Sequence, residues 1–170
     1  MSNADYKGVM VYAEQVDGKI TPVTYELIGK GKQLAGELGT EVTAVQLGSD
    51  VGALPEKLEM RGADRVIVVD NAALNVYKTE PYVHALTTVI NKYKPEVVLV
   101  GATAIGRDLA PRVSARVHTG LTADCTKLEI NPEDKGLMMT RPAFGGNIMA
   151  TILCPNNRPQ MSTVRPGVMQ

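Results

Sequence analysis

Residues 140–147 read TRPAFGGN and bring together the groups best suited to approach a flat, charged ligand. Arg141 closes a strand-like run and supplies a fixed positive charge, Pro142 sets the chain direction, and Gly145-Gly146 permits close approach by another backbone or a flat ring. Phe144, the one phenylalanine of the chain, lies inside the segment. The same residues also suit a plain hairpin turn with the Arg141 stem laid along the surface. Composition leaves both readings open.

Residues 97–125 form the second candidate, VVLVGATAIGRDLAPRVSARVHTGLTADC. A β-branched run ends at Gly101, a small-residue loop follows over residues 102–107, and a helix begins after it. Strand, tight loop and helix N-terminus are where α/β proteins hold anions. The GATAIG loop lacks the lysine of a GxxxxGK[ST] phosphate loop, and GxGxxG is absent. Simple strand-to-helix packing therefore competes with phosphate contact. A second small-residue loop, residues 119–123, closes the unit.

Other chemistry finds little support. His84 and His118 have no Cys, His or Asp partner nearby in sequence, which disfavours metal and triad roles. Cys125 and Cys154 lie in separate apolar runs without ligand spacing and read as buried thiols. Asp70 and Asp108 sit at element boundaries, where helix capping is the simplest role. No nucleophile stands beside an evident base. Lysine plus arginine equals aspartate plus glutamate at 18 each, so no net field draws the chain to nucleic acid or an anionic membrane. No apolar run approaches the roughly 18 residues of a membrane span, and residues 1–7 are too short and polar for a signal peptide. A cytoplasmic protein without membrane insertion is expected.

These segments need a frame, and the chain has the length and the 44% hydrophobic content for one well-filled domain. Residues 8–14, 41–48, 65–70 and 97–101 are strand-like. Between them Val23, Leu27, Leu34 and Leu38, residues 54–61, and Val83, Leu86, Ile90 and Tyr93 recur at helical spacing. Thr21-Pro22 reads as a helix start, Gly39 and Gly62 as helix ends, and Pro95 as a stop. Pro111 fits a fourth helix if Asp108 is its N-cap, with Leu109, Val113 and Val117 toward the sheet and Arg112 and Arg116 outside. The alternation predicts an α/β fold, a parallel twisted sheet with helices on both faces. Residues 125–130, 136–141, 148–154 and 160–165, separated by turn signals, predict C-terminal antiparallel hairpins that extend the sheet or form a ribbon on it.

The segments GATAIGRDLAPRVSARVHTGLTADCT, TRPAFGGNIMATI and RPQMSTVRPGV, in that order after VMVYAEQVDGKI, resemble the N-terminal domain of the alpha subunit of electron transfer flavoproteins. The resemblance covers essentially the whole chain, and GGNIMA with NRPQMSTVRP is closer to the electron-bifurcating group. It implies an adenine-nucleotide-binding-like domain over residues 1–165 that forms a base with a beta subunit. Residues 166–170 would begin the linker to an FAD-binding domain, and this chain alone is not expected to hold that domain's FAD. It further implies that Arg141 lies near the N5 edge of a second FAD held mostly by the beta subunit, with Phe144, Gly145, Gly146 and Asn147 beside it. Arg107, Asp108, Arg112 and Arg165 would serve subunit contact, and the GATAIGRD loop would be scaffold. An electron carrier rather than a bond-making enzyme is implied, with acyl-CoA or other flavin dehydrogenases as partners. Two other classes stay open: a free-standing adenine-nucleotide-binding domain of the universal-stress type, and a small α/β enzyme using Asp108 or His118.

Overall fold

The unbroken apolar runs become interior strands because a parallel strand covered on both faces has no side for water. The computed structural model describes residues 2–169; Met1 of the leader reading and Gln170 of the linker reading lie outside them. In chain order the elements are β1 (Val9–Tyr12), a hairpin of β2 (Gln15–Val16) and β3 (Lys19–Ile20), α1 (Pro22–Leu38), β4 (Val42–Gly48) and α2 (Leu54–Met60). Then come β5 (Arg65–Asp70), α3 (Thr79–Tyr93), β6 (Val97–Gly101), α4 (Ala104–Arg116) and β7 (Leu121–Cys125). The last are β8 (Lys127–Ile130), β9 (Leu137–Ala143), β10 (Ile148–Ile152) and β11 (Gln160–Val164).

The main sheet has the order β5-β4-β1-β6-β11-β7, with every pairing parallel. Strands β1, β4, β6 and β11 are buried throughout. Two cores flank the sheet. One joins Val9, Val11, Val42 and Leu99 to Leu27 and Leu34 of α1 and Leu58 of α2. The other joins Met10, Val45, Val98 and Val100 to Val83, Leu86 and Ile90 of α3 and Leu109 and Val113 of α4. Helices therefore cover both faces, as the alternation requires. Order runs outward from β1 to β4 and β5, then returns to the other side of β1 at β6, so the topological switch point lies between β1 and β6.

The C-terminal hairpin prediction is half right. Strands β8, β9 and β10 form a separate antiparallel sheet, and Leu128, Leu137 and Met139 pack it onto the α1 side of the core. Residues 160–164 join no hairpin: β11 inserts between β6 and β7 as an interior parallel strand. Most of its polar atoms are bonded, the buried Gln160 Nε2 being the exception. Gln160 Oε1 takes the Leu137 N–H at 2.9 Å, the Ser162 hydroxyl donates to the Thr163 carbonyl, and Thr163 Oγ1 takes the Asp124 N–H at 2.8 Å. The predicted loop over residues 119–123 is also corrected, since Leu121–Cys125 is the sheet-edge strand β7.

Helix α4 starts earlier than the Asp108 reading. Its N-cap is Thr103, whose hydroxyl oxygen accepts the Gly106 N–H at 3.0 Å, and Pro111 lies two turns inside the helix. The start is pinned by contact. A Cβ on Gly106 would stand 1.8 Å from the Gly101 carbonyl oxygen, so strand β6 and helix α4 meet where only glycine fits. Thr21 caps α1 by position, yet its hydroxyl donates back to the Glu14 carbonyl at 3.3 Å rather than to the helix. Gly39 ends α1 in the left-handed conformation at φ 68°, as expected.

Beyond β11 the chain stays on the domain. The Gly167 N–H donates to the Glu26 carboxylate at 3.0 Å, and Met169 is buried in the first core.

Gly106→Ala is expected to cost at least about 3 kcal/mol, since backbone must move to admit the methyl. Gly29→Ala, in an exposed helical position with open space around it, should instead gain up to about 1 kcal/mol. Denaturant midpoints of the two variants against the parent decide both.

Candidate functional site

The carboxyl ends of β6, β7 and β11 meet the root of the β9–β10 hairpin, and here the sequence-selected residues converge. Three main-chain hydrogen bonds clasp the segments together. Ala102 N donates to the Val164 carbonyl at 2.8 Å, Arg165 N to the Cys125 carbonyl at 3.0 Å, and Thr126 N to the Thr140 carbonyl at 2.9 Å. Arg165 and Arg141 are thereby set around the end of β7. Arg107, exposed in the first turn of α4, joins them.

Asp124 is the acid among these bases. Strand β7 carries a bulge: Thr122 pairs with Ser162 and Cys125 with Val164, so Ala123 and Asp124 together face the single residue Thr163. Asp124 takes the left-handed conformation at φ 58°, uncommon outside glycine but tolerated by aspartate. Its carboxylate accepts both prongs of Arg165, Nε at 3.2 Å and Nη2 at 2.6 Å. The Arg165 hydrogen bond holds the Asp124 carboxyl below its usual range, and the charges of Arg107 and Arg141 add to the effect. One carboxylate thus answers three guanidiniums. Burial pushes the neighbouring Cys125 thiol up, which keeps it a neutral core residue.

Arg141 differs from Arg165. Its Nε is buried with no hydrogen-bond partner among the described residues. Ahead of it, β9 turns at Phe144 through Gly146 into β10. Gly145 and Gly146 have positive φ and open space at their Cβ positions, so the turn presents bare backbone. Phe144 is 83% exposed, and Ile148, Met149, Ile152 and Leu153 extend an exposed apolar surface along the hairpin. A stranded apolar surface of this kind on a folded domain marks contact with another molecule. An unpartnered, buried guanidinium nitrogen lies at its base, beside a glycine turn of bare backbone.

The switch point has a different character. Glu14 follows β1, is 5% exposed, and accepts the Thr103 hydroxyl at 2.5 Å. A carboxylate therefore already occupies the N-terminal end of α4 through its cap residue. Beside it a cavity of about 420 Å³ opens at the ends of β1 and β4, lined by Tyr12, Asp17, Asp50, Tyr77 and Ile105 among others. Neither lysine nor arginine lines it. Phosphate finds a carboxylate where the helix would hold it and no cation in the cavity lining, so the universal-stress reading gains no support.

Asp108, Arg112 and the histidines are accounted for separately. Asp108 Oδ2 accepts the hydroxyls of Tyr77 at 2.5 Å and Thr79 at 2.6 Å, tying the start of α3 to α4, and Arg112 reaches Oδ1 at 3.4 Å. Those hydroxyl bonds lower the Asp108 carboxyl, while burial and the same contact push Tyr77 up to about 12. Asp108 is thus an inter-helix tether and no helix cap. Asp70 likewise receives the N–H groups of Asp50 and Val51 in the loop after β4. His84 and His118 are exposed, and no cluster among the described residues could hold a metal ion. Glu14 and Asp124 were not visible as functional residues in the sequence. Only the strand ends that bring Thr103 and Arg165 to them reveal their roles.

The fold and site define a class: a parallel α/β domain of nucleotide-binding topology whose own crevice is lined by no lysine or arginine and whose arginine cluster and apolar hairpin lie at the surface. The chain belongs to the electron transfer flavoprotein family, the Electron transfer flavoprotein domain matching residues 9–170. It is 52% identical over 170 residues to electron transfer flavoprotein subunit alpha of Clostridium acetobutylicum, covering 100% of this chain and 51% of that protein. The acryloyl-CoA reductase electron transfer subunit beta of Anaerotignum propionicum is 46% identical over 97% of this chain and 51% of its own length. The lactate dehydrogenase (NAD(+),ferredoxin) subunit LctC of Acetobacterium woodii is 49% identical over 94% of this chain and 38% of its own length. The chain spans about half the length of most of these relatives. Among the described residues no helix is long and apolar enough to cross a membrane.

Burial raises the Glu14 carboxyl above its ordinary value, against the lowering effect of the Thr103 hydrogen bond. The folded state then binds more protons than the unfolded chain as pH rises from the ordinary carboxylate range, so this group's contribution to stability falls on that climb. Glu14→Gln should melt higher than the parent at pH 7, with the gap closing below about pH 4. Thermal melts across that range check the sign.

Proposed function

We propose that this chain is the N-terminal domain of an electron transfer flavoprotein alpha subunit, that it forms a base with the beta subunit, and that it flanks an FAD held mostly by that partner. The observation that carries the reading is Arg141: a guanidinium nitrogen buried without a partner, at the root of an exposed apolar hairpin with a bare glycine turn. Residues 141 and 144–147 form the flavin-facing surface. Phe144 and the hairpin residues beyond it supply the apolar area that a subunit contact buries. Arg107, Asp108, Arg112 and Arg165 serve the subunit contact, and Asp108 orients Arg112. Residues 166–170 lead toward a further domain that binds its own FAD.

When bound, the flavin carries the electrons; the chain's residues set the conditions for that transfer. Arg141 would supply a fixed positive charge to the bound flavin, favouring its reduced, negatively charged form. The Gly145-Gly146 backbone allows the ring to approach, and the apolar hairpin excludes water, which strengthens the charge interaction. No bond to substrate is made here, in keeping with an electron carrier serving acyl-CoA or other flavin dehydrogenases in the cytoplasm. The name of the LctC relative joins NAD(+) and ferredoxin in one lactate dehydrogenase. That name supports electron bifurcation as this protein's mode, with the potential at the Arg141 site setting how electrons divide.

Arg141→Ala in the full-length alpha subunit assembled with its beta subunit should lower the reduction potential of the flanked flavin. A charged contact of about 1.5–3 kcal/mol corresponds to roughly 65–130 mV for one electron. A redox titration that leaves both flavin potentials unchanged removes Arg141 from this role. The chain purified alone should be colourless and its complex with the beta subunit yellow; a yellow chain alone contradicts the assignment of the flavin to the partner.

A further inference from the structure

Asp124 is bonded to Arg165 and also feels the charge of Arg141. Two guanidiniums compete for one carboxylate at the end of β7. Arg165 enters from β11 and takes both Asp124 oxygens in a fork. Arg141 enters from β9, whose main chain is fixed to Thr126, two residues beyond Asp124, and keeps its Nε without a partner. The backbone is built to maintain this division. The β7 bulge turns Asp124 out of the ladder, the left-handed φ aims it, and Thr163 Oγ1 holds its N–H. Backbone in that region persists at an ionic site only when its surroundings determine it.

We infer that Arg165 is a positioning residue that sequesters the Asp124 carboxylate so that Arg141 stays unpaired and its charge reaches a ligand on the hairpin face. This rests on the flavin reading of Arg141. A bidentate arginine suits the task because a planar fork engages both carboxylate oxygens at once. The two residues lie 41 positions apart in the chain and meet only because β11 pairs with β7. Arg107, exposed on α4, has no such contact and does not replace Arg165 in the fork. The Asp124–Arg165 pair lies at the domain surface, with side-chain exposures of 30% and 45%.

The test uses the full-length alpha subunit assembled with its beta subunit and reads flavin reduction potentials, with flavin absorbance and melting temperature as controls for assembly. Arg165→Met should lower the potential of the flanked flavin in the same direction as Arg141→Ala, by about tenfold in the one-electron equilibrium, equivalent to about 59 mV. Adding Asp124→Asn to Arg165→Met should restore the potential, because no carboxylate is left to capture Arg141. Arg165→Lys keeps the charge and loses the fork, so it should lower the potential part of the way. A purely long-range charge effect would leave Arg165→Lys at the parent value, and that result overturns the inference. So does a potential unmoved by Arg165→Met while Arg141→Ala shifts it. If Arg141→Ala itself shifts nothing, the flavin reading beneath the inference fails instead.

Discussion

Strand β11 makes parallel pairs with β6 on one side and β7 on the other, and the candidate site depends on that double pairing. Through β6 it is joined to the β6–α4 junction at Ala102; through β7 it brings Arg165 to Asp124 and Thr163 to the Asp124 N–H. Gln160, at its start, satisfies the Leu137 N–H and so helps seat β9, the strand that carries Arg141. A five-residue strand thereby fixes the relative positions of three segments that are otherwise separated by turns. Its polar residues are the means, since each buried hydroxyl or amide oxygen that finds a partner ties one segment to another at low net cost.

The two ends of α/β logic have been put to different uses in this domain. The switch point between β1 and β6, where such folds usually receive a phosphate, is filled by Glu14 and its bond to the Thr103 cap. The Gly106 approach to the Gly101 carbonyl then needs no ligand to stabilise it. Charge and apolar surface have moved to the edge of the sheet instead, where Arg107, Arg141 and Arg165 surround a single carboxylate and the β9–β10 hairpin stands exposed.

Most of the frame was legible in the residues. Val9–Tyr12 and Val97–Gly101 are apolar without interruption, Val42–Gly48 is apolar apart from Thr43 and Gln46, and Leu27, Leu34, Val83, Leu86 and Ile90 recur at helical spacing, so burial on both faces followed from local pattern. The misreadings share one cause. Gln160–Val164, Leu121–Cys125 and the start of α4 are rich in small or polar residues, and their structure comes from partners far away in sequence. Asp108 resembled a helix cap because caps are usually acidic or hydroxylic; Thr103 took that place because Glu14 and the close β6–α4 contact fixed the helix five residues earlier.

For the site the division is sharper. The sequence alone determined that Arg141, Phe144 and the glycine pair lie together on a turn, because neighbours in a hairpin are neighbours in the chain. It also determined that the GATAIG loop lacks a phosphate-binding lysine. Only the tertiary structure decided that Arg141 keeps a buried nitrogen without a partner, that Asp124 sits on a bulge in the left-handed region, and that Arg165 holds it. Those facts depend on parallel pairing between strands whose connections run through other elements. No local propensity encodes which distant strand will lie alongside.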